Sequence, residues 1–170
     1  MRARFPFVAG LTTTGELVRL EIPAQPAFVG VARSVVAAVA SALEGLDDDR
    51  LEDLRVAVSE AVTNAVEAHR RDAIDDKVIV TCTSTEDALE VRIEDSGSGF
   101  DPSLLPAAPE PGAPPTASSE RGWGVQLIQA LVDDVSFRQT GEGTAVDLVV
   151  RFDRAADGSA AGADAGSAGD

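Results

Sequence analysis

The sequence predicts an α+β fold: a two-layer sandwich with helices on one face of a mixed, mostly antiparallel sheet. Three observations carry that reading. Two stretches of helical periodicity lie in the first half of the chain, over 27–43 and from Asp47 onward. Two pairs of alternating apolar and polar runs, each pair joined by a short turn, follow at 78–95 and 135–152. Between those hairpins, six of the nine prolines crowd into residues 101–121. The order is strand, two helices, hairpin, long loop, helix, hairpin.

Each element has a local cause. A strand is expected at 16–22 (ELVRLEI), with Leu17 and Leu20 among its apolar members. Pro23 and Pro26 then set up the helix AFVGVARSVVAAVASAL, which stops near Gly45. Asp47, Asp48 and Asp49 precede a second helix of about 20 residues, where acidic groups favour the positive end of the helix dipole. Leu51, Leu54, Val58, Ala61, Val62 and Ala65 recur at helical spacing along its buried stripe. VIVTCTS at 78–84 and ALEVRIED at 88–95 form a hairpin through Thr85, Glu86 and Asp87. A short helix is expected at 124–133, and VSFRQT pairs with TAVDLVVRF across Gly141-Glu142-Gly143. Residues 1–14 read as a flexible N-terminus, 15–152 as one domain with a lid at 101–121, and 153–170 as a disordered low-complexity tail.

Composition narrows the function. A net charge of −15 argues against a nucleic-acid surface, which needs basic groups to replace condensed counterions. Lys77 is the sole lysine and no glycine-rich run precedes it, so a P-loop is excluded. No apolar run approaches the roughly 20 residues that span a bilayer, and MRARFPFVAG reads as no signal peptide. The single cysteine, Cys82, lies in an apolar strand and predicts a small core residue. A cytoplasmic protein is expected.

Three short motifs carry chemistry. In VSEAVTNAVEAH, Glu60 and Asn64 are spaced i, i+4 and share a helix face bordering the apolar stripe. An asparagine oxygen suits Mg²⁺, and a nearby glutamate can accept a proton from an attacking hydroxyl. The plainer alternative is a pair of surface residues on an amphipathic helix. In DSGSGF, Asp95 continues the inward parity of Leu89, Val91 and Ile93, so its carboxylate needs a donor. That donor can be the exocyclic amino group of adenine, with Gly97 and Gly99 letting a ligand approach the backbone. A tight turn with an aspartate cap is the alternative. In RGWGVQLI, Gly122 and Gly124 open a helix whose free N–H groups suit phosphate, and Arg121 adds charge. There the alternative is a flexible loop end with Trp123 packed on the core.

In this order the motifs resemble the GHKL nucleotide-binding superfamily, the Bergerat-fold ATPases that include gyrase, histidine kinases and MutL. Glu60 and Asn64 match its N box, DSGSGF its first glycine box and RGWGVQLI its second. GEGTAVDLVV is similar to its last box, where a threonine lies near adenine, here Thr144. The likeness covers about residues 16–152 and is greatest to the small bacterial anti-sigma factor serine/threonine-protein kinases, which share VSEAVTNAV and GVQLIQALVDDV.

The resemblance implies ATP and Mg²⁺ as cofactors and phosphorylation of a serine or threonine on a protein. Glu60 would be the catalytic base. Asn64, Asp95, Gly97, Gly99, Arg121, Gly122, Gly124 and Thr144 would bind the nucleotide, Asn64 also holding the metal. Arg33, in VARSVV, corresponds to the arginine with which the family contacts its partners. Those partners would be a STAS-type anti-sigma factor antagonist and a sigma factor, and homodimers are common in the group. The alternative is an ATP-binding sequestration module with little or no kinase activity. The family often has a histidine four residues after the asparagine. Here that place is Ala68, and His69, one residue on, is expected to be a capping or surface residue without a catalytic role.

Overall fold

The computed structural model describes residues 15–72, 76–97, 123–141 and 143–152. The three segments read as N-terminus, lid and tail lie outside them. Strand β1 (Gly15–Pro23) leads through a 3-10 turn at Pro26–Phe28 into α1 (Val29–Ser41) and then α2 (Asp48–Asp72). The hairpin β2 (Lys77–Ser84) and β3 (Ala88–Asp95) follows. Last come α3 (Trp123–Leu131), β4 (Asp134–Gln139) and β5 (Thr144–Arg151).

The five strands form one sheet in the order β1-β2-β3-β5-β4, and all four pairings are antiparallel. The parallel contact of a mixed sheet therefore does not occur among the described strands. The non-consecutive neighbour is β5, which inserts between β3 and β4 and pairs Thr144 with Asp95. That join brings the end of the first hairpin to the turn of the second.

Local chemistry explains the helix ends. Pro26 starts the 3-10 turn after the extended Gln25, so the predicted first helix is α-helical only from Val29. It ends at Ser41, and Gly45 takes the left-handed φ of +97° that turns the chain toward α2. Asp47 caps α2, its Oδ1 accepting the Arg50 N–H at 2.8 Å. Of the predicted stripe, Leu54, Val58, Ala61, Val62 and Ala65 are buried and Leu51 is half-buried. They pack with Val36 and Ala40 of α1, Ile128 of α3 and the inward residues Val78, Val80, Cys82, Leu89, Val91, Ile93 and Leu148 of the sheet. Burial pushes the Cys82 thiol up to about 11, in keeping with a core side chain. No described helix is long and apolar enough to cross a membrane.

The outer sheet face is polar. Asp147 on β5 pairs with Arg92 on β3 and Arg138 on β4, linking three strands. Burial acts to raise the Asp147 pKa, but the hydrogen bonds from both arginines outweigh it and hold the carboxyl below its ordinary value. A carboxyl depressed in the folded state stabilises above its unfolded pKa and loses that contribution as pH falls through the folded value. Thermal denaturation should therefore show the native chain more stable than Asp147→Asn at neutral pH, with the difference beginning to shrink below about pH 4 and lost only as pH falls through the lower folded-state value. A difference that stays constant from neutral pH down into acid would assign the effect to packing.

Candidate nucleotide site

Four elements converge at one end of the sheet. On α2, Glu60 is half-buried and Asn64 exposed, one turn apart as their spacing requires. The second residue of α3, Gly124, lies directly on this pair. A Cβ built there would stand 3.0 Å from Glu60 Oε2 and 3.6 Å from Asn64 Oδ1. Only a residue without a side chain leaves both groups uncovered at that approach. The first and third motifs, far apart in the chain, thus lie against one another.

The second motif joins it through α2. Asp95 ends β3 on the parity of the buried Leu89, Val91 and Ile93, and is itself half-buried rather than enclosed. Its Oδ1 accepts the Gly97 N–H at 2.8 Å, so the aspartate-capped turn is present. Gly97 is buried against the next turn of α2, where an added Cβ would come within 2.8 Å of Ala68 Cβ. Glycine at 97 and alanine at 68 are a matched pair of small residues. Beside Asp95, Thr144 is 5% exposed, and its Oγ1 has no hydrogen-bond partner among the described residues. An orphaned hydroxyl next to a carboxylate suits a polar ligand edge.

Gly99, Arg121 and Gly122 lie outside the described residues. Arg33 belongs to a different place, a groove of about 480 Å³ between α1 and α2 that it lines with Ser34, Ser41, Glu52 and Arg55. A smaller groove of about 200 Å³ lies on the outer sheet face around Arg92 and Asp147. Glu60, Asn64, Asp95 and Thr144 line neither.

Sequence reasoning missed two residues here. His69, expected at a cap or on the surface, is 1% exposed, and its Nε2 accepts the Ser96 N–H at 3.0 Å. The missed signal was its spacing: 58, 62, 65 and 69 follow one helical stripe, so position 69 points into the core. Gly143, read as a turn residue opening the last box, is buried against the backbone of Asp95, where a Cβ would fall 1.7 Å from the carbonyl oxygen. No local pattern marks that contact.

The chain is similar to known proteins. Residues 22–150 match the histidine kinase-like ATPase domain family. A protein named serine-protein kinase RsbW from Oceanobacillus iheyensis is 38% identical over 125 residues, covering 71% of this chain and 77% of that one. Its namesake in Bacillus velezensis is 36% identical over 143 residues, covering 81% and 87%. The crystal structure of the RsbU and RsbW domains of Rv1364c from Mycobacterium tuberculosis superposes with a TM-score of 0.56 at 20% identity, over 81% of this chain and 33% of that one. That likeness is one of fold.

Proposed function

This chain belongs to the histidine kinase-like ATPase domain family, and from that premise we propose that it is an ATP-dependent serine/threonine-protein kinase acting as a cytoplasmic anti-sigma factor. Its substrate is a STAS-type anti-sigma factor antagonist, and its second partner a sigma factor that it sequesters when the antagonist is phosphorylated. The observation that carries the reading is the approach of Gly124 to Glu60 and Asn64, which brings the proposed base and the proposed metal ligand to the N-terminus of α3. Similarity to serine-protein kinases over most of the chain supports it.

Phosphoryl transfer asks a protein mainly for positioning and charge neutralisation. The Asp95 carboxylate, which already takes the Gly97 N–H, accepts the adenine amino hydrogen as well. Thr144 Oγ1 meets the same purine edge. Gly97 and Gly124 suit a close backbone approach, since an added Cβ would stand 2.8 Å from Ala68 Cβ at the first and crowd Glu60 Oε2 at 3.0 Å at the second. The first N–H groups of α3, helped by Arg121, Gly122 and Gly99, receive the phosphates. Asn64 would hold Mg²⁺, which neutralises triphosphate charge when bound. Glu60 takes the proton from the incoming hydroxyl. Arg33, in the groove between α1 and α2, docks the protein partners, and a homodimer is the expected assembly.

Asp95→Asn tests the purine contact. An amide presents an N–H₂ group as well as an oxygen, so ATP affinity should fall about tenfold or more, the scale of a hydrogen bond to a charged group. Unchanged binding in calorimetry would refute the assignment. ATP binding by the native chain without radiolabel transfer to any STAS-type antagonist would favour the sequestration module instead.

A further inference from the structure

The turn that carries Asp95 and Gly97 is held from outside at the residue between them. The Ser96 N–H donates to His69 Nε2 at 3.0 Å, and Ser96 Oγ donates to Asp76 Oδ2 at 2.7 Å. The other oxygen of Asp76 accepts the Lys77 N–H at 2.8 Å. Ser96 is thus gripped at its amide by the last turn of α2 and at its hydroxyl by the residue preceding β2. Hydrogen bonds from Ser96 and from the Lys77 amide hold the Asp76 carboxyl below its ordinary range, so it remains an acceptor at neutral pH.

The histidine half of this clamp dictates a tautomer. A ring nitrogen that accepts an N–H carries no proton, so neutral His69 must carry its proton on Nδ1. Nδ1 is buried and has no hydrogen-bond partner among the described residues. Orphaning a buried donor is unfavourable, and an aliphatic side chain would fill the same position without that cost. What the imidazole adds over an aliphatic group is one bond, to the peptide that sits between Asp95 and Gly97.

We propose that His69 is a positioning residue for the nucleotide: its unprotonated Nε2 fixes the Ser96 peptide and so aims the Asp95 carboxylate and the Gly97 backbone at the purine. This rests on the nucleotide reading above. His69 touches no reacting atom, and its loss lowers affinity for ATP rather than the rate of transfer.

The chain has one histidine, so its imidazole gives a single unambiguous nitrogen spectrum. In nucleotide-free protein at neutral pH, long-range proton–nitrogen NMR should show the Nδ1–H tautomer, with slow exchange of the Ser96 amide. His69→Leu removes the acceptor and keeps an apolar side chain, whereas His69→Gln returns an acceptor at a similar reach. His69→Leu should raise the Kd and KM for ATP about tenfold with kcat within about twofold, and His69→Gln should bring Kd back to within about threefold of native. An Nε2–H tautomer, native affinity in His69→Leu, or equal impairment in both variants would overturn the proposal. A native chain that binds no ATP would overturn the nucleotide reading itself, and the tautomer and amide exchange distinguish that failure from a failure of His69 alone.

Discussion

Glu60→Gln is expected to lower phosphate transfer by about 10²–10⁴-fold, the range of a lost general base, with ATP affinity within a few-fold of native. Glu60 Oε2 is the atom nearest to where a side chain on Gly124 would stand, so the carboxylate faces the N-terminus of α3, where the triphosphate ends in the proposed complex. Glutamine keeps the length and the contact but cannot take a proton at neutral pH. Single-turnover radiolabel transfer to a STAS-type antagonist measures the chemistry, and calorimetry with ATP measures binding. Transfer at the native rate would remove Glu60 from the base role. Equal losses in transfer and binding would instead make it a binding residue.

Gly143→Ala is expected to disrupt both the fold and the site. A methyl group at 143 would stand 1.7 Å from the Asp95 carbonyl oxygen and 2.7 Å from Ser96 Cα. Both are backbone atoms, so no side chain can swing aside and the ends of β3 and β5 must separate. Overpacking of this kind costs about 3 kcal/mol or more, or roughly 10 °C in Tm for a domain of this size. Because the displaced residues are Asp95 and Ser96, ATP affinity should collapse with stability. Gly141, two residues away in the same turn, has no atom within 4 Å of an added Cβ, so Gly141→Ala supplies the control. Native Tm and ATP affinity in Gly143→Ala would show that the two strand ends do not meet as described.

Much of the molecule was legible in the chain because its causes are local. The acidic start at Asp47–Asp49 and the apolar stripe define α2 from within one segment; the helix begins there as expected, and of the stripe all but the half-buried Leu51 are buried. Leu89, Val91 and Ile93 alternate with charged residues and are buried, which puts Asp95 on the inward side. Its partial burial was not legible, since the extent of cover depends on which elements lie over the strand end. His69 marks the boundary between the two kinds of knowledge. Its spacing held the signal for the core although a cap or surface position was expected, and its partner, Ser96, lies 27 residues further along.

The sequence by itself determined the residue types of the site, the helical face shared by Glu60 and Asn64, and the parity of Asp95. Each follows from a period of 3.6 or 2 within a single element. Tertiary structure alone decided that β5 pairs with β3 rather than only with β4, that Gly143 closes on Asp95, and that Gly124 meets α2. Those contacts join segments tens of residues apart, and they arise from the packing of a shared core and the register of a sheet, which no window of sequence contains.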